Sequence, residues 1–84
     1  MTTNVYALKL ANGKYYIGKS DNLEQRISSH FDGSGSAWTR EHKPLKVAEI
    51  RENVSRFEED KMTKEYMEKY GVDNVRGGAY TQVE

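Results

Sequence analysis

Asn12-Gly13 is the strongest local instruction in this chain, because it lies between two short runs rich in β-branched and aromatic residues, at 4–10 and 15–19. An Asn-Gly pair readily takes the positive backbone φ of a tight hairpin, so the two runs read as antiparallel strands joined by a turn. The length of that turn sorts the side chains. A clean two-residue turn sets Tyr6 directly opposite Lys19 and sends Tyr16 to the other face. A bulged turn with one more residue brings Tyr6 and Tyr16 to the same face. Tyr15 reads as packing.

The segment SDNLEQRISSHF then reads as a helix, with Asp21 as its cap and Glu24 placed three residues on for a capping box. Leu23, Ile27 and Phe31 form its buried stripe. DGSGS ends the helix and opens a loop that runs to about Pro44. LKVAEI is a third strand, with Leu45, Val47 and Glu49 on one face. A second helix spans roughly 54–70, with Met62, Tyr66 and Tyr70 as its stripe and Gly71 as its C-terminal cap. The closing VDNVRGGAY reads as irregular on account of Gly77-Gly78. The order β-β-α-β-α predicts an α+β sandwich over residues 1–84: one domain, with a three-stranded, mainly antiparallel sheet and flanking helices.

The chain has no cysteine, which excludes disulfides and cysteine-based zinc sites and fits a reducing compartment. No apolar run approaches the roughly 20 residues of a bilayer span. MTTNVYALKL lacks the basic segment and long apolar core of a signal peptide, so the expectation is an intracellular protein, cytoplasmic or nuclear, with no membrane partner. Net charge is zero, which argues against strong nonspecific attraction to nucleic acid over the whole surface. The distribution is uneven, however. Residues 1–47 carry seven Lys/Arg against four Asp/Glu, and residues 48–84 carry six against nine. Neither a phosphate-binding loop nor a two-histidine zinc pattern is present.

Asn4-Val5-Tyr6 and Tyr16-Ile17-Gly18, on adjacent strands, resemble the paired Gly-Ile-Tyr and Tyr-Ile-Gly motifs of the GIY-YIG nuclease family. The second match is complete; the first keeps the tyrosine and a β-branched neighbour. Lys19 follows as in members that act in DNA repair. Arg26 and His30 resemble the arginine and the histidine or tyrosine of the family helix. Thr39-Arg40 and Pro44 are similar to a segment that precedes the third strand in small bacterial members, and Glu59 and Asn74 stand where the family has a glutamate and an asparagine. The resemblance covers nearly the whole chain.

It implies a metal-dependent endonuclease acting on DNA, with Tyr6 as general base and Tyr16, Lys19, Arg26, His30, Glu59 and Asn74 around it. A phenol titrates near pH 10, so a cation such as Lys19 would help it act near neutrality. Arg26 would clamp the scissile phosphate, and His30, four residues on and adjacent on the helix, would shuttle a proton or orient the water. One divalent ion, Mg²⁺ or Mn²⁺, would be held by Glu59 and several waters, with no small-molecule cofactor. Helical geometry supports Glu59. At about 100° per residue, Met62, Tyr66 and Tyr70 point to about 0°, 40° and 80°, and Glu59 to about 60°, amid the apolar stripe. Glu58 points to about −40°, on the flank. Lys19, Arg26, Arg40 and Arg76 are the candidate nucleic-acid contacts. Trp38 and His42 add aromatic groups near Arg40, though Trp38 reads foremost as buried against the sheet. A monomer is expected. The rival reading is a catalytically weak nucleic-acid-binding or interaction module with the same fold.

Overall fold

The computed structural model describes residues 1–78 and 80, and its hairpin takes the longer turn. Strands β1 (Thr2–Leu10) and β2 (Tyr15–Ser20) are joined by a 3-10 turn over Ala11–Gly13. Asn12 and Gly13 take φ of 66° and 73°, and the Leu10 amide donates to the Lys14 carbonyl at 2.8 Å. Tyr6 therefore faces Gly18, Leu8 faces Tyr16, and Lys19 faces Val5. Side chains alternate along a strand, so Tyr6 and Tyr16 share one side of the sheet and Lys19 lies on the other.

Helices α1 (Leu23–Phe31) and α2 (Ala37–Glu41) follow, then β3 (Pro44–Ser55), α3 (Glu58–Tyr70) and β4 (Val75–Gly77). The sheet order is β3-β1-β2-β4, with β4 parallel to β2. Four strands thus replace the expected three, and the segment read as irregular supplies the fourth. Gly77 does not break this strand. A Cβ there would run into the Ile17 backbone, so glycine is what lets β4 approach β2. Gly77 and Tyr80 exchange backbone hydrogen bonds of 2.8 Å. Ala79, also in that segment, lies outside the described residues.

Residues 5–8 of the central strand β1 are fully buried, which explains why they read as a continuous run and not as an alternation. On one face Val5, Ala7, Tyr15, Ile17 and Val75 pack against Met62 of α3, with Tyr66 and Tyr70 joining as the stripe predicts. On the other, Tyr6, Leu8, Leu10 and Tyr16 pack against Trp38 of α2 and Leu23 and Ile27 of α1. The result is a helix-sheet-helix sandwich. Arg51 ties α3 to β3, donating to Glu49, Glu58 and Glu65 at 2.7, 2.6 and 2.9 Å.

Several local expectations give way to tertiary contacts. Asn22, not Asp21, caps α1: its Oδ1 accepts from the Gln25 amide, while Asp21 accepts from the Thr3 hydroxyl at 2.9 Å. Phe31 is 40% exposed, and the inward position at that end of α1 belongs to His30. Leu23 and Ile27, the two that pack on the sheet, point to about 0° and 40°; from their mean direction His30 is about 40° away and Phe31 about 60°. The supposed loop after α1 contains α2, capped by Ser36 and anchored by Trp38, whose indole N–H donates to the Tyr15 carbonyl at 2.9 Å. Trp38 is buried against the sheet, as its reading favoured. Leu45 and Val47 are exposed because β3 is an edge strand and the helices of that face pack on β1 and β2. β3 also continues to Ser55, so α3 starts later than the pattern suggests. Among the described residues no helix is long and apolar enough to cross a membrane.

Candidate active site

Tyr6, fully buried at the middle of β1, lies over Gly18 of β2. A Cβ on Gly18 would overlap the Tyr6 hydroxyl and Cζ. Glycine inside a strand ordinarily costs about 0.5–1 kcal/mol, and here its missing side chain is the space the phenol occupies. Gly18→Ala is expected to destabilise the domain by roughly 2 kcal/mol, or about 10 °C in Tm, because the buried ring must shift. An unchanged thermal melt would show that Tyr6 is free to retreat.

From Tyr6 a chain of polar contacts leads inward. The Tyr6 hydroxyl is 2.8 Å from His30 Nε2, and His30 Nδ1 is 3.1 Å from the Thr39 hydroxyl oxygen. The Thr39 hydroxyl donates to the Ser36 carbonyl at 3.0 Å. His30 is fully buried and Thr39 nearly so, and the backbone of Gly35 lies against the imidazole, where a Cβ would overlap Nδ1. Tyr16 completes the group, its ring centroid 4.9 Å from that of His30 and 6.4 Å from that of Tyr6.

Burial pushes the Tyr6 phenol well above its usual pKa, the Tyr16 phenol beside it adds to this, and the Arg26 guanidinium opposes both. Burial likewise raises Tyr16, against the pull of Arg26. His30 is lowered from 6.5 to about 4, first by burial and then by the Arg26 charge. The unfolded chain therefore takes up a proton at His30 near pH 6.5 while the folded chain resists to about pH 4, so acidification through this window favours unfolding. With His30 fully buried, this shift corresponds to a loss of roughly 2 kcal/mol, about 10 °C in Tm, between pH 6.5 and 4.5. Asp32 and Glu49, whose carboxyls are held low by Ser34 and by Arg51, contribute only below the usual carboxylate range. Thermal melts of His30→Gln should lack the slope between pH 6.5 and 5; a slope that persists in this variant would assign it elsewhere.

Arg26 borders a polar pocket of about 230 Å³ lined with Ser20, Asn22, Gln25 and Ser29. It is the cation that acts on both phenols. Lys19, for which the sequence suggested that part, faces the α3 side, with its Nζ 3.5 Å from Glu59 Oε1. Glu59 has a side chain only 15% exposed, yet its charge is felt at Tyr6 and Tyr16, which it raises. Glu58 is held by Arg51 instead. Among the described residues no group of three or more His, Cys, Asp or Glu side chains is placed to hold a metal ion.

The remaining candidates lie apart. Asn74 accepts from Lys14 Nζ at 2.8 Å and donates to the Tyr70 carbonyl at 2.7 Å, joining α3 to β4. This is the Tyr15 end of β2, roughly 13 Å along the strand from Lys19. Arg76 lays its guanidinium 4.6 Å from the Trp38 ring centre and donates to the Val72 and Val75 carbonyls. Arg40 is exposed and lines, with Lys43, Phe31 and Thr39, a second cavity behind His30. His42 packs edge-on against Trp38. Thr39 itself was legible only as part of a Thr-Arg pair, since its contact with His30 crosses nine residues and two helices.

Residues 3–74 match the sequence model of the GIY-YIG catalytic domain. The chain belongs to the GIY-YIG family. The family is typically one of nucleases that act on DNA, generally with a divalent metal. This GIY-YIG domain is 41% identical over 44 residues to a UPF0213 protein of Xanthomonas campestris pv. campestris, covering 52% of this chain and 43% of that protein. It is 32% identical over 65 residues to a UPF0213 protein of Bacillus cereus, covering 77% and 62%. A UPF0213 protein of Bacillus licheniformis is 38% identical over 42 residues, covering 50% and 43%. The chain thus spans roughly half the length of the curated relatives it matches. No solved structure matches it significantly.

Proposed function

We propose that this domain is a metal-dependent endonuclease that hydrolyses DNA phosphodiester bonds. The observation that carries the reading is the 2.8 Å contact between Tyr6 and His30, with the Arg26 charge acting on the same phenol. A general base needs an outlet for its proton, and Tyr6 has one.

In this mechanism the scissile phosphate pairs with Arg26 in the polar pocket at the start of α1. As a water oxygen bonds to phosphorus and the bridging P–O bond breaks, a water proton passes to the Tyr6 oxygen. The Tyr6 proton passes to His30 Nε2, and the departing oxygen takes a proton from solvent. A phosphate paired with Arg26 offsets the cation that weakens His30 as a base, so the relay strengthens when substrate is bound. Tyr16 walls the phenol from bulk water. Lys19 and Arg40 contribute backbone-phosphate contacts.

The residues present fit a Mg²⁺ or Mn²⁺ ion, which normally keeps several waters and takes one or two carboxylates beside substrate phosphates. Glu59 would hold it. Lys19 at 3.5 Å is too long for a tight charge-assisted contact and leaves that carboxylate available. When bound, such an ion supplies charge stabilisation at the phosphate and the departing oxygen. The test is nicking of supercoiled plasmid with and without Mg²⁺. Divalent-dependent nicking supports the enzyme. DNA binding without nicking at any Mg²⁺ or Mn²⁺ concentration would overturn it in favour of a binding module.

A further inference from the structure

We infer that Thr39 is a positioning residue that fixes the tautomer of His30, keeping Nε2 bare to accept the Tyr6 proton. The catalytic consequence rests on the nuclease reading above; the tautomer does not.

A neutral imidazole has one N–H and one bare nitrogen, and the partner of each nitrogen decides which is which. The Thr39 hydroxyl has a single proton, which it donates to the Ser36 carbonyl at 3.0 Å. Its oxygen is then an acceptor toward His30 Nδ1, 3.1 Å away, so Nδ1 carries the hydrogen. Nε2 is left bare, and the Tyr6 hydroxyl at 2.8 Å is the donor. The Ser36 hydroxyl, 3.2 Å from the same oxygen, accepts from the Thr39 amide, which holds α2 in the orientation this chain needs. His30 and Thr39 are buried, and the backbone of Gly35 lies against the imidazole at Nδ1.

Without the hydroxyl, Nδ1 has no partner in either tautomer, and the ordinary preference of a neutral imidazole for its hydrogen on Nε2 takes over. The hydrogen relocates to Nε2, which then donates to the Tyr6 oxygen. Tyr6 loses its outlet. The ring, its position and its charge are unchanged; only the direction of the hydrogen bond reverses.

The experiment compares the parent with Thr39→Val, which keeps the shape, and Thr39→Ser, which keeps the hydroxyl. Nitrogen NMR of the His30 ring at pH 7 should show the hydrogen on Nδ1 in the parent and in Thr39→Ser, and on Nε2 in Thr39→Val. Nicking by Thr39→Val should fall about tenfold to a hundredfold with DNA affinity unchanged, and Thr39→Ser should recover most of it. A parent with the hydrogen on Nε2 overturns the inference. So does a Thr39→Val protein that nicks at the parental rate, or one that slows with its tautomer unchanged. If the parent does not nick at all, the nuclease reading fails, while the NMR comparison still decides the tautomer.

Discussion

Glu59→Gln is expected to leave a folded domain that binds DNA but nicks plasmid at least about a hundredfold more slowly, from the several kcal/mol a metal supplies at the phosphate. The glutamine keeps the shape and removes the charge. Its surroundings favour this outcome: the Glu59 side chain is mostly buried, and its nearest cation is Lys19 at 3.5 Å. Melting should hold steady or rise, since a poorly paired carboxylate near the core costs more than a neutral amide. Glu58→Gln is the control. That carboxylate bonds Arg51 at 2.6 Å, so its loss should lower Tm slightly while nicking stays close to the parental rate. A dead Glu58→Gln beside an active Glu59→Gln would move the metal to the Arg51 side of α3. Two active variants would remove the single-carboxylate mechanism altogether.

Tyr6→Phe should abolish most nicking, by about 10²–10⁴-fold, with binding of DNA retained. Phenylalanine fills the same space over Gly18, so the sheet and its core persist. The lost hydroxyl leaves His30 Nε2 without its donor, and a buried unsatisfied acceptor costs about 1–3 kcal/mol. A drop of several degrees in Tm is therefore expected along with the loss of activity. Tyr16→Phe separates the two phenols, because it is the Tyr6 hydroxyl that lies within hydrogen-bond distance of His30. It should retain far more activity than Tyr6→Phe. If Tyr16→Phe is the inactive protein and Tyr6→Phe still nicks, the base belongs to Tyr16 and the His30 outlet is incidental.

Much of this architecture is written in short-range patterns. Asn12-Gly13 makes a hairpin wherever the flanking runs favour strands, and the spacing of Met62, Tyr66 and Tyr70 aims Glu59 inward as surely in an isolated helix as in the folded chain. Those features depend on residues within a few positions of one another. Turn length does not. It chose between two faces for Tyr16, and the choice went to the bulged form, in which Tyr6, Leu8, Leu10 and Tyr16 lie together against α1 and α2. The same packing turned His30 inward and left Phe31 exposed, formed α2 around Trp38 and Ser36, and drew β4 against β2 through Gly77. It also exchanged Lys19 for Arg26 beside the phenols, because Lys19 leaves β2 on the α3 face while α1, which carries Arg26, packs on the face of Tyr6 and Tyr16. Local sequence determined which residues had the chemistry. Their convergence was decided by the tertiary structure, because the energy that selects one register or one rotamer comes from area buried between segments far apart in the chain.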